Sequence, residues 1–223
     1  MRIGIDVNGV LRDTIGKFTQ IYEKHLVEKN DATLDSVDKT YELTFSGETD
    51  ELVEMNESTN VNWFKYEILS DVTSLNLQNH FSFQSTDELY SFMYEEYTME
   101  LFGHAPSTET LTFNYLNDFY VNMRDEHEIV IISDEMGKSK PATLFFLSKF
   151  GCLAEKIKFY SNYTINSMWD EIDILLTANP SLLLEYPPNK KVIQFETSYN
   201  QNVNLDVKIK SLNELENKIK NLL

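Results

Sequence analysis

Ile3-Gly4-Ile5-Asp6-Val7-Asn8-Gly9-Val10-Leu11 is the stretch on which the reading of this chain turns. Residues 2–5 are short, apolar and largely β-branched, and they run into Asp6 and a turn containing Gly9. This is the pattern of a buried strand that delivers an acid to its C-terminal end. From Thr14 to Asn30 the pattern changes to helical spacing, with Ile15, Phe18, Ile21, Tyr22, His25 and Leu26 on one stripe. On that stripe His25 reads as a core or boundary histidine.

Residues 31 to about 105 are acidic and aromatic and lack a buried, β-branched run. Helical pieces are predicted over Asp50–Met55, Trp63–Leu69 and Thr86–Phe102. The aromatic stripe of the last piece reads as core, with some rings free to face a ligand. After Pro106 the chain alternates. Ser107 is placed to cap a helix carrying Leu111, Tyr115, Phe119 and Met123. Glu128–Ser133 is an apolar strand ending in a hydroxyl, followed by a loop from Asp134 to Lys140 and a helix from Pro141 to Phe150, closed by Gly151. Further strands are expected at Ile157–Tyr160, Glu171–Thr177 and Lys191–Phe195, with a turn and helix start at Ala178-Asn179-Pro180. The last helix has a Ser211/Glu214 capping box and a stripe of Leu212, Leu215, Ile219 and Leu222.

Such alternation predicts an α/β fold: a doubly wound parallel sheet with a mostly helical cap inserted after the first strand. The core is residues 1–14 and 106–223, and the cap is residues 15–105. Ligands of such sheets bind beyond the carboxyl ends of the strands. Asp6, Ser133 and the Thr177–Asn179 turn all belong there.

With 36 acidic residues against 19 basic ones, the formal charge is −17. That speaks against a nucleic-acid polymer or an anionic membrane as partner, since both require basic surface. A small anionic ligand in a local cleft is compatible with it. The single cysteine, Cys152, allows no internal disulfide and no thiolate metal cluster. No leader and no spanning apolar run is apparent, so a cytoplasmic location is expected.

A carboxylate at a strand end can attack a phosphoryl group and form an aspartyl-phosphate. The Gly9 turn, Asp134 and Lys138 are candidates for holding the substrate. The Ser133 hydroxyl and the Lys140 ammonium are candidates for holding the transferring oxygens, with Lys138 the rival of Lys140.

Asp6-Val7-Asn8-Gly9-Val10-Leu11-Arg12-Asp13-Thr14 resembles motif I of the haloacid dehalogenase (HAD) superfamily, usually Asp-x-Asp-Gly-Val-Leu. Ile129–Ser133 resembles motif II, Lys140-Pro141 the motif III lysine region, and Asp173–Pro180 the motif IV strand and turn. Val192–Phe195, Ser198-Tyr199-Asn200 and Lys210–Leu215 are similar to the tail of 5′(3′)-deoxyribonucleotidases. The resemblance implies a phosphomonoesterase with Asp6 as nucleophile, a small phosphorylated substrate such as a nucleotide, and magnesium held through Asp6, Asn8 and Asn179.

Two departures matter. The second acid of motif I is Asn8 here, which exchanges no proton at neutral pH, so acid–base assistance of about 10²–10⁴-fold is lost. The motif IV acid is replaced by Ala178-Asn179; Asp134, Glu135, Asp13 and Asp173 are the acids that could substitute. Both departures lead to weak hydrolysis. They also leave open a catalytically degenerate domain that binds a phosphorylated ligand or a protein partner. Dehalogenase- and phosphonatase-like members, which also lack the second acid, are a further enzyme alternative.

Overall fold

The computed structural model describes residues 1–42, 65–135, 137–161 and 163–222. Six parallel strands form one sheet: β1 (Arg2–Asp6), β2 (Glu128–Asp134), β3 (Lys156–Tyr160), β4 (Ile174–Thr177), β5 (Lys191–Phe195) and β6 (Lys208–Ile209). Their order is β3-β2-β1-β4-β5-β6, so β1 is central and the crossovers go to both sides of it. Both faces are covered, as the continuous apolar strands require. One face packs Ile3, Ile5, Ile129 and Ile131 against α3 (Thr112–Met123), α4 (Ser139–Lys149) and α7 (Leu215–Leu222). The other packs Val130, Ile132 and Leu175 against α5 (Ile165–Glu171) and α6 (Pro180–Leu184).

The segment after β1 is helical at both of its described ends. Helix α1 spans Thr14–Glu42, well past the predicted end at Asn30, since neither Gly nor Pro stops it there. The predicted helix at Asp50–Met55 lies outside the described residues. Of the predicted helix Trp63–Leu69, the described part, residues 65–69, is not helical: Ile68 bridges Phe81, and Leu69 N–H donates to the His80 carbonyl. The predicted run Thr86–Phe102 is split into α2 (Thr86–Ser91) and two π-helical turns, Phe92–Glu96 and Met99–Gly103. Of its aromatics Phe92 is core, packing with Phe18, Tyr22, Phe81 and Phe83 at ring distances of 4.8–6.3 Å, whereas Tyr90 is exposed. His25 is buried against the same rings.

Two expected helix starts move. Helix α3 begins at Thr112, and the Ser107 hydroxyl bonds the Glu109 carbonyl instead of capping it. Glu109 in turn accepts from Ser211 Oγ and Leu212 N, which ties the turn before α3 to the C-terminal capping box. Helix α4 begins two residues before Pro141 and closes at Gly151, whose φ of +68° glycine accepts readily. No helix among the described residues is long and apolar enough to cross a membrane.

Candidate functional site

Strand alternation decides which side chains meet at the carboxyl end of the sheet. In β1, Ile3 and Ile5 face one layer, so Gly4 and Asp6 face the other. In β2, Val130, Ile132 and Asp134 share that second face, and Ser133 takes the first. Thr177 in β4 and Tyr160 in β3 fall on the Asp6 face, following Leu175 and the register pair Asp134↔Tyr160. Asp6, Asp134, Tyr160 and Asn179 accordingly line one cavity of about 220 Å³, together with Asn8 and Gly9. Its opposite wall is apolar: Ile15, Leu75, Leu77, Met93, Tyr94 and Phe102.

Asp6 is buried to 1% exposure. Its Oδ2 accepts a 2.7 Å hydrogen bond from Thr177 Oγ1, whereas its Oδ1 has no partner. Burial lifts its pKa to about 7; the Thr177 bond and the Asn8 backbone N–H oppose the rise, and the Asp134 charge adds to it. Asp134 is itself pushed upward, by burial first and the Glu135 charge second. The cavity is therefore electronegative. Among the described residues no Lys, Arg or His lines it.

Gly9 is fixed by geometry. Its φ is +79°, and a Cβ there would collide with the Tyr199 hydroxyl and come within 2.9 Å of Ala178 Cβ.

Beside the cavity lies a charged group that the sequence reading passed over. Arg12 has 0% exposure and its guanidinium uses all five N–H donors. Nε donates to Thr14 Oγ1 (3.3 Å), Nη1 to the Phe102 carbonyl (2.7 Å) and Thr143 Oγ1 (2.5 Å), and Nη2 to Asn8 Oδ1 (2.6 Å) and Glu135 Oε1 (2.8 Å). Its Cζ lies over the Phe102 and Phe146 rings, 5.0 and 5.4 Å from their centroids. Glu135 Oε1 also accepts from Ser133 Oγ (2.8 Å) and Thr143 Oγ1 (2.5 Å). The only sequence signal for Arg12 is a charge directly behind Val10-Leu11, with an acid, Glu135, just after β2.

This network commits several of the expected site residues. Asn8 Oδ1 is held by Arg12 and by Thr14 Oγ1 (2.9 Å), which turns its Nδ2 toward Ser133 Oγ and the Asp134 carbonyl, both at 3.4 Å. Ser133 is buried and bonded to Glu135, away from the cavity lining. Lys138 and Lys140 are exposed and do not line the cavity; the Lys140 ammonium sits 5.8 Å from the Phe159 ring centre. Asn179 lines the cavity, but its Oδ1 accepts from Ser181 N as the cap of α6.

The acids available for a cation can be sorted in the same way. Glu135 pairs with Arg12, Asp13 Oδ1 accepts from Gly16 N, and Asp173 pairs with Arg2 and Lys190 at the other end of the sheet. Asp6 and Asp134 remain. No group of three or more His, Cys, Asp or Glu with metal-binding geometry occurs among the described residues. An orphaned buried carboxylate oxygen beside a second carboxylate fits a magnesium ion that takes one or two protein carboxylates and completes its shell with water and ligand oxygens.

No protein-family model matches the chain, and no curated protein matches it. Among solved structures it resembles a proposed haloacid dehalogenase-like hydrolase of Burkholderia xenovorans LB400, at a TM-score of 0.53 and 9% identity, over 100% of this chain and 98% of that one. The central β1 with its terminal acid, the doubly wound parallel sheet and the helical segment following β1 together give this chain the haloacid dehalogenase-like hydrolase fold.

Proposed function

We propose that the chain is a divalent-cation-dependent phosphomonoesterase of low turnover, acting on a small phosphorylated substrate of which a nucleotide is the favoured example. One observation carries this reading: Asp6 Oδ1, at the end of the central strand, is buried and unpartnered in a cavity. Asp6 attacks phosphorus, the ester P–O bond breaks to leave an aspartyl-phosphate, and water then hydrolyses that intermediate to return the carboxylate. Asp6 and Asp134 would hold a magnesium ion, which would supply the positive charge that the described lining side chains lack. Asn8 donates no proton, so the leaving oxygen takes one from solvent and turnover is slow. The apolar wall of Leu75, Leu77, Met93 and Tyr94 suits the organic part of the substrate.

A second reading is a binding domain without turnover. The absence of a basic side chain among the described lining residues favours it, together with the locking of Asn8 onto Arg12.

Hydrolysis of p-nitrophenyl phosphate and a nucleotide panel with magnesium, run beside Asp6→Asn, separates the two. Activity that needs magnesium and disappears in Asp6→Asn supports the enzyme. A native chain no faster than Asp6→Asn leaves the binding domain.

A further inference from the structure

We infer that the Tyr160 hydroxyl donates a hydrogen bond to a phosphoryl oxygen of the ligand held at Asp6, in the place the sequence gives to Lys140. The inference rests on the phosphate-binding reading above.

Tyr160 ends β3, on the same sheet face as Asp6 and in register with Asp134. Its side chain lines the cavity at 5% exposure, and its hydroxyl has no hydrogen-bond partner. The Asn179 side chain lies beside that hydroxyl at a geometry short of a hydrogen bond. A buried hydroxyl left without a partner is a standing penalty that a ligand oxygen removes. Asp6 and Asp134 are both close enough for their charges to act on the phenol. A phenol carries its proton at neutral pH, so the hydroxyl serves as a donor beside the two acids. The lysines of the α4 start cannot serve in this arrangement, because both are exposed and outside the lining. Ser133, the other candidate donor, gives its proton to Glu135. Among the described residues that line the cavity, Tyr160 thus offers a buried, unpartnered hydroxyl on the same sheet face as Asp6.

Titration calorimetry with inorganic phosphate and with orthovanadate, on the full chain in magnesium, tests this. Tyr160→Phe is expected to weaken both by about tenfold, the scale of one hydrogen bond to a charged acceptor, with a melting temperature no lower than that of the native chain. Lys140→Ala is expected to bind as the native chain does. Native-like affinity in Tyr160→Phe overturns the inference while leaving the phosphatase reading intact, as does a comparable loss in Lys140→Ala. A native chain that binds neither anion overturns both. Should Tyr160→Phe not fold, 3-fluorotyrosine placed at 160 gives a second readout. Its fluorine resonance is expected to move on adding orthovanadate, and a resonance that stays put overturns the assignment.

Discussion

Asn8 Oδ1 accepts a 2.6 Å hydrogen bond from Arg12 Nη2, so the residue that departs from the motif is held by a buried cation four positions on. The amide is a fixed part of the loop, and its chemistry cannot be exchanged without involving Arg12.

Restoring an acid by Asn8→Asp is therefore expected to fall far short of restoring fast hydrolysis. The new carboxylate would face the guanidinium, which favours its ionised form and removes it as a proton donor at neutral pH. The rise in kcat should stay well below the ~10²-fold expected of a working general acid. Steady-state rates with p-nitrophenyl phosphate check this, and a gain of that size would show that Arg12 does not hold the position.

Arg12 and Glu135 form an ion pair in which both side chains are 0% exposed. Arg12→Ala strands a buried carboxylate and is expected to cost about 3–5 kcal/mol. Arg12→Met combined with Glu135→Leu removes both charges and should recover most of that loss. Urea unfolding of the three proteins measures it.

Asp6 gives stability a pH dependence of opposite sign to an ordinary paired carboxylate. Its folded pKa of about 7 lies above its unfolded value of 3.8, so between them the folded state holds the proton and the unfolded state does not. Stability thus falls as pH rises from about 4 to 7, by an amount on the order of a few kcal/mol. Asp6→Asn should lack this fall and melt higher than the native chain at pH 8, with the gap closing toward pH 5. Magnesium should narrow the gap at pH 8 from the native side. Thermal unfolding across this range checks both.

Gly9 and Gly137 make a controlled pair, with φ of +79° and +48°. Gly137→Ala meets nothing within 4 Å and should cost only about 1 kcal/mol of backbone strain. Gly9→Ala adds the collision with Tyr199 and Ala178 and should cost clearly more, with disturbed ligand binding. Melting temperatures of the two variants rank them.

The strands were legible because buried parallel strands are short apolar runs, as at Ile3–Asp6 and Glu128–Ser133. Their ends located Asp6, Asn8, Gly9, Asp134 and Asn179 at a single cavity. Arg12 was not legible, since a charged residue is ordinarily solvated and its partner Glu135 lies 123 positions away. Nor was Tyr160 legible, whose strand-end hydroxyl looks like core in one dimension. Helical spacing found the Thr86–Phe102 stripe but cannot tell α from π turns, which set where Met93, Tyr94 and Phe102 point. Ile68 shows the converse: its pairing with Phe81 overrode a locally helical pattern.

The Arg12 guanidinium also gathers distant parts of the chain, reaching Phe102, Glu135 and Thr143 across 90, 123 and 131 positions. Bonds that close such long loops form late in folding and break together. The inserted segment and the sheet should accordingly lose structure in one cooperative transition, with Arg12 as the point at which they let go of each other.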